Sequence, residues 1–219
     1  MDDTSIKNFW EWFSNNAEDY FYFEKNQDVL FSNLHASLSK VHPDLVFEFS
    51  QVLEDGTKEL VISADGIKSL FPIVVNLVSQ APFFKKWTII AFRQPRNFTQ
   101  IIYQNVKINL SDAFFKYEKM DGKIHLELYL RNFSDSEEWQ TATFILLDHL
   151  LGEFYTEMTL GHIEIKRLDE KNMDDLLPIK DLVEIVYDNH RSPTAQMFQR
   201  LKKYILRFAR FRLYSFLNN

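Results

Sequence analysis

Asp148, His149 and Glu153 lie close together on a stretch whose apolar spacing predicts a helix, and their side chains suit acid–base or metal chemistry. His149 and Glu153 are four residues apart, so on one continuous helix they would meet on the same face. A metal would need at least a third protein ligand, for which His125 and His162 on predicted strands are the available donors. The simpler alternative is a helix C-terminus, where the imidazole favours the negative end of the dipole and Glu153 reaches solvent or a cap. No zinc-helix signature with two histidines is present, and neither a metal nor a cofactor is expected.

Asp65-Gly66 closes a predicted strand and precedes a predicted helix, and Arg93 and Arg96 leave the strand that follows. Together with that helix N-terminus the two arginines can bind an anion. Structural roles compete with this one: Asp65 as an N-cap, the arginines in surface ion pairs. One glycine is not a phosphate cradle, and neither a P-loop nor a dinucleotide fingerprint occurs. No serine sits in a G-x-S-x-G elbow. Cysteine is absent, which removes thiolate nucleophiles, disulfides and cysteine metal sites and fits a reducing compartment. The catalytic candidates are therefore Asp65, Arg93, Asp148, His149 and Glu153, and an enzyme would need them to converge in one cleft.

The binding candidates lie at the other end of the chain. Residues 190–219 hold seven of the 25 Lys and Arg and none of the 31 Asp and Glu, which leaves −13 on the rest of a chain whose net charge is −6. Arg200, Lys203, Arg207 and Arg210 repeat at three and four residues beside an apolar face of Met197, Leu201, Ile205 and Phe208. Such a helix can meet a nucleic acid, an acidic partner or an anionic membrane surface. It can equally pack on its own acidic chain.

The elements that would position these groups follow from periodicity. Residues 58–92 read as strand, turn, helix and strand: Glu59 to Ala64 is an apolar run, Leu70, Phe71, Val74, Leu77 and Val78 form a helical stripe, and Trp87 to Phe92 is β-branched and aromatic. Two helices are predicted before it, over 4–23 and from Asn26 to His42. Leu45 to Val52 is the first arm of a hairpin turned at Glu54-Asp55-Gly56. A stretch from Phe98 to Tyr103 has poor periodicity, and Val106 to Leu110 reads as an edge strand. Asp121-Gly122 joins two further strands, in the second of which Ile124, Leu126, Leu128 and Leu130 alternate with polar residues. Ser134 to Glu137 has capping-box spacing and opens a helix that ends near Gly152. A strand over 162–168, a charged loop, a short helix over 182–187 and a final helix over 192–217 complete the series.

This order predicts an α+β fold: a mainly antiparallel sheet with β-α-β units, ferredoxin-like but elaborated, covered by helices, with N- and C-terminal helical additions. Residues 1–168 form the expected α+β domain and residues 169–219 a C-terminal helical extension packed on or beside it. Twenty-one Phe in 219 residues supply a large core and argue against disorder. The start, MDDTSIKNFW, lacks the order of a secretory signal, and no apolar run approaches the roughly twenty residues needed to span a bilayer. A cytoplasmic protein is expected.

The stretches ELVISADG (59–66), QAP with WTIIAFR (80–82 and 87–93), LLDHLLGE (146–153) and GHIE (161–164) resemble a family of uncharacterised bacterial proteins, a domain of unknown function. The resemblance spans roughly residues 5–168 and implies no activity, cofactor or catalytic residue. The functional expectation is thus a non-catalytic binding or regulatory module acting on another macromolecule, through a protein partner or as a homodimer. An enzyme with a polar site near Asp65, Arg93, Asp148, His149 and Glu153, or nucleic-acid binding through the basic C-terminal helix, are the alternatives.

Overall fold

The aromatic stripe near the N-terminus produces α1 (Asp3–Phe21), which turns Ile6, Phe9, Trp10, Phe13, Tyr20 and Phe21 inward. The computed structural model describes residues 3–189, and these fall into two compact units that divide between Phe92 and Arg93. The predicted helix over 192–217, and with it Arg200, Lys203, Arg207 and Arg210, lies outside the described residues.

In the first unit α1 is followed by α2 (Gln27–Leu38), β1 (Val46–Phe49), β2 (Lys58–Ser63), α3 (Phe71–Ser79) and β3 (Trp87–Ala91). β2 is the central strand, antiparallel to β1 and parallel to β3. Its apolar run is buried because it has a neighbour on each side and helices over the sheet. The β1–β2 hairpin turns where expected, with Asp55 Oδ1 accepting the Thr57 N–H at 2.9 Å. α3 starts later than the spacing suggests: a 3-10 turn over Lys68–Leu70 precedes it, and Pro72 sits in the first helical turn, where its missing N–H costs nothing. The core between sheet and helices is aromatic, with Phe13 against Trp87 at 5.7 Å and Phe49 against Trp87 at 5.0 Å between ring centroids. Polar tips of these large side chains are satisfied by backbone: Trp10 Nε1 donates to Leu77 O at 2.9 Å and Trp87 Nε1 to Ala17 O at 3.0 Å.

Lys58 breaks the apolar character of β2. Its side chain is 1% exposed, its ammonium donates to Glu24 Oε1 at 2.6 Å and lies 4.2 Å from the Phe23 ring centre. One carboxylate and two rings, Phe23 and, at 5.4 Å, Phe21, thus replace the water this charge has lost.

The second unit holds β4 (Gln100–Tyr103), β5 (Val106–Asn109), β6 (Ala113–Met120), β7 (Lys123–Leu130), α4 (Glu137–Leu151), α5 (Glu153–Thr159), β8 (Leu160–Arg167), β9 (Leu177–Pro178) and α6 (Leu182–Asn189). β4 and β5 form a small antiparallel pair, and the larger sheet has the order β8-β7-β6-β9. β6 and β7 are the hairpin about Asp121-Gly122, and β8 runs parallel to β7. The alternation of β7 is realised in full, with Ile124, Leu126, Leu128 and Leu130 buried under α4 and α6 in a core that also contains Leu146, Leu147, Leu150, Ile179, Leu182 and Val186.

The class read from the sequence, α+β with antiparallel pairs, β-α-β units and helical cover, is the one observed. Each unit keeps its β-α-β pair in its own sheet, with the two parallel strands as direct neighbours. Local differences have local causes. The aperiodic stretch before Tyr103 contains β4, four residues whose strand character comes from pairing with β5. The N-cap of α4 is Ser136 rather than Ser134. The chain after Gly152 continues as α5, a second helix at a new angle that the helix-stop signal of glycine concealed.

Candidate functional site

Two of the acidic residues singled out on the sequence, Asp148 and Glu153, lie at the corner where α4 passes into α5. Gly152 makes the corner, with φ +80 and a Cβ position that would lie 2.8 Å from Pro95 Cδ and 3.0 Å from Arg93 O. Only glycine accepts both that backbone and that contact. The segment after β3 clasps the corner at three points: Glu153 N–H donates to Arg93 O at 3.0 Å, Arg93 N–H donates to Glu153 Oε2 at 3.2 Å, and Arg96 N–H donates to His149 O at 2.8 Å. Glu153, fully buried, thereby caps a backbone N–H instead of reaching solvent.

Because the helix breaks at Gly152, His149 and Glu153 belong to different helices, and the i to i+4 geometry expected of them does not apply. His149 Nδ1 lies 2.8 Å from Ile145 O within α4, and its ring meets Phe98 edge-on at 5.6 Å. Asp148 is half-buried. Loss of water raises its carboxyl to about 6, Arg93 opposes that rise, Glu153 and Glu157 add to it, and a hydrogen bond with Thr156 works against it. The corner therefore assembles Arg93, Asp148 and Glu153 with two residues that the sequence pattern did not single out, Thr156 and Glu157. The signal for them was present: Glu153 and Glu157 stand four apart, but on a helix hidden behind the glycine stop.

Asp65 belongs to the first unit. It occupies an exposed turn at φ +50, its N–H donating to Ser63 Oγ at 2.9 Å. The N-cap positions that follow are Ile67 and Leu70, so Asp65 is not the helix cap expected of it. His125 and His162 meet at an irregularity in the β7–β8 ladder, where His162 N–H donates to His125 Nδ1 at 3.3 Å and the His125 ring fills the space above Gly161. Among the described residues no three His, Asp or Glu side chains are grouped so as to hold a metal ion.

A second feature emerges on the first unit. A shallow surface groove runs between α1 and the chain after α3, lined by Asp3, Lys7, Trp10, Glu11, Gln80 and Pro82. Next to Pro82, Phe83 is 93% exposed, whereas Phe84 turns inward and packs on Phe13 at 5.4 Å and Trp10 at 6.1 Å. No signal in the sequence distinguished the two phenylalanines.

No protein-family model matches the chain. A comparison with curated proteins likewise finds no match. Among the described residues no helix is long and apolar enough to cross a membrane.

Proposed function

We propose that this chain is a non-catalytic binding or regulatory module that acts on another protein, in the cytoplasm. Phe83 carries the reading: a phenyl ring 93% exposed beside a groove is the kind of side chain that anchors an interface. Burying such a ring contributes roughly 1.5–3 kcal/mol, enough to dominate a modest contact. The groove offers an apolar floor at Trp10 and a rim of both charges at Asp3, Lys7 and Glu11, which suits a protein surface better than a uniformly charged polymer. The cysteine-free composition supports the cytoplasmic location.

An acid–base alternative has Asp148 in its favour, since a carboxyl that titrates near 6 lies in the working range of general acids and bases. Against it, the backbone clasp already engages Glu153. A photo-reactive amino acid at position 83 of the full chain, introduced in living cells, tests the proposal. A protein adduct is expected, and the purified partner should bind the Phe83→Ala variant at least about tenfold more weakly while binding Ile102→Ala unchanged. A nucleic-acid adduct in its place, or a partner indifferent to Phe83→Ala, would refute the protein-binding reading.

A further inference from the structure

β8 is an edge strand: β7 pairs with one side of it, and no described residue pairs with the other. Leu168 N–H donates to Leu130 O at 3.0 Å. In a parallel ladder a residue turns its N–H and C=O to the same side and its neighbours turn theirs to the opposite side. Lys166 and Glu164 therefore face β7, and Ile163, Ile165 and Arg167 present their backbone groups outward. Glu164 and Arg167 are exposed, and Ile163, Ile165 and Lys166 are partly so. An open row of this kind is a template for another strand.

The sequence along this edge is complementary to itself. Set antiparallel to its own copy about a two-fold axis at Ile165, the strand opposes Ile165 to Ile165, Ile163 to Arg167, and Glu164 to Lys166 twice. The outward-facing residues then fall in hydrogen-bonded pairs. Each Glu164–Lys166 couple falls in a non-hydrogen-bonded pair, where Cα atoms are about 4.5 Å apart and side chains are closest. Axes at Ile163 or Arg167 keep the ladder but set Glu164 against His162, or Lys166 against Leu168, and lose both charge pairs. In the single chain Lys166 already lies 3.2 Å from Glu127 Oε1 and 2.9 Å from Glu164 Oε2 on the open face of the sheet, so a second Glu164 would extend an existing ion-pair row. On the other face Ile163 and Ile165 pack against the core, partly covered, and a copy would finish covering them.

We propose that two copies of this chain associate through β8, antiparallel, about a two-fold axis at Ile165. The occupant of the edge is a second copy rather than a foreign strand because the charge order matches itself in that one register. The edge is short, so the association is concentration-dependent and weak beside an obligate interface.

The chain has no cysteine, which permits a direct test with the full-length protein. Ile165→Cys should form an intermolecular disulfide on mild oxidation, since a hydrogen-bonded antiparallel pair holds Cα atoms about 5.5 Å apart, within disulfide range. Ile163→Cys should not, because its copy stands four residues away along the strand, about 13 Å. In sedimentation equilibrium, Glu164→Lys and Lys166→Glu should each weaken self-association at least about tenfold, and the double variant carrying both should restore it. Unchanged unfolding midpoints would show that the single variants remain folded. A wild-type chain that stays monomeric at the highest soluble concentration would overturn the proposal. So would disulfide formation as fast for Ile163→Cys as for Ile165→Cys, or a double variant that fails to recover association.

Discussion

Asp148 shows what a carboxylate loses when it is half-buried beside two others. In the unfolded chain it titrates at 3.8, whereas in the folded chain loss of water, reinforced by Glu153 and Glu157, raises it to about 6. Between those values the folded form binds more protons than the unfolded one, so stability falls as pH rises from about 4 to about 6, and the full penalty is present above that window. That rise sets a ceiling of about 3 kcal/mol, reduced to about 1–2 because the carboxylate keeps part of its water. Asp148→Asn should therefore raise stability by about 1–2 kcal/mol at pH 7 and leave it unchanged near pH 3.5, as measured by urea denaturation at the two pH values. Equal effects at both would place the origin of the change elsewhere than in the proton. The residue type and its helix were readable from the sequence, but its titration was not. That depends on the water the folded chain takes from the carboxyl, and on Arg93, 55 positions earlier in the chain, which opposes the rise.

Between elements, the α4–α5 corner is the feature that most changes the meaning of the sequence. A glycine at the end of an apolar period is correctly read as a helix stop, and α4 does end at Leu151. What the period could not convey is that a second helix begins at once, because α5 is short and its direction is set by contacts with residues 93–96. Gly152→Ala should destabilise the second unit by about 2 kcal/mol or more, combining a left-handed backbone with a contact that backbone atoms cannot relieve. Thermal unfolding checks this, and a substitution that is neutral there would mean that the corner relaxes freely. β4 and β9 leave little mark on the sequence for a related reason: runs of four and two residues carry almost no period of their own and become strands only through β5 and β6.

At the scale of the whole molecule, the buried cluster of the second unit draws its members, among the described residues, from Ile101 to Val186. A unit with its own core has what it needs to fold alone. Residues 93–189 expressed as a separate chain should unfold in one cooperative transition with near-ultraviolet circular dichroism, and a gradual, non-cooperative melt would show that its core is incomplete. Legible in the residue order were the α+β class, the hairpins about Gly56 and Gly122 and the buried stripes of α1 and α4, because these are written in the spacing of neighbours a few residues apart. Tertiary structure alone decided that Lys58 is a buried cation held by a carboxylate 34 residues away, that Glu153 closes on a backbone 60 residues away, and that Phe83 faces outward while Phe84 faces inward. Burial and charge pairing depend on what the folded chain brings alongside a residue, and local spacing carries no record of that.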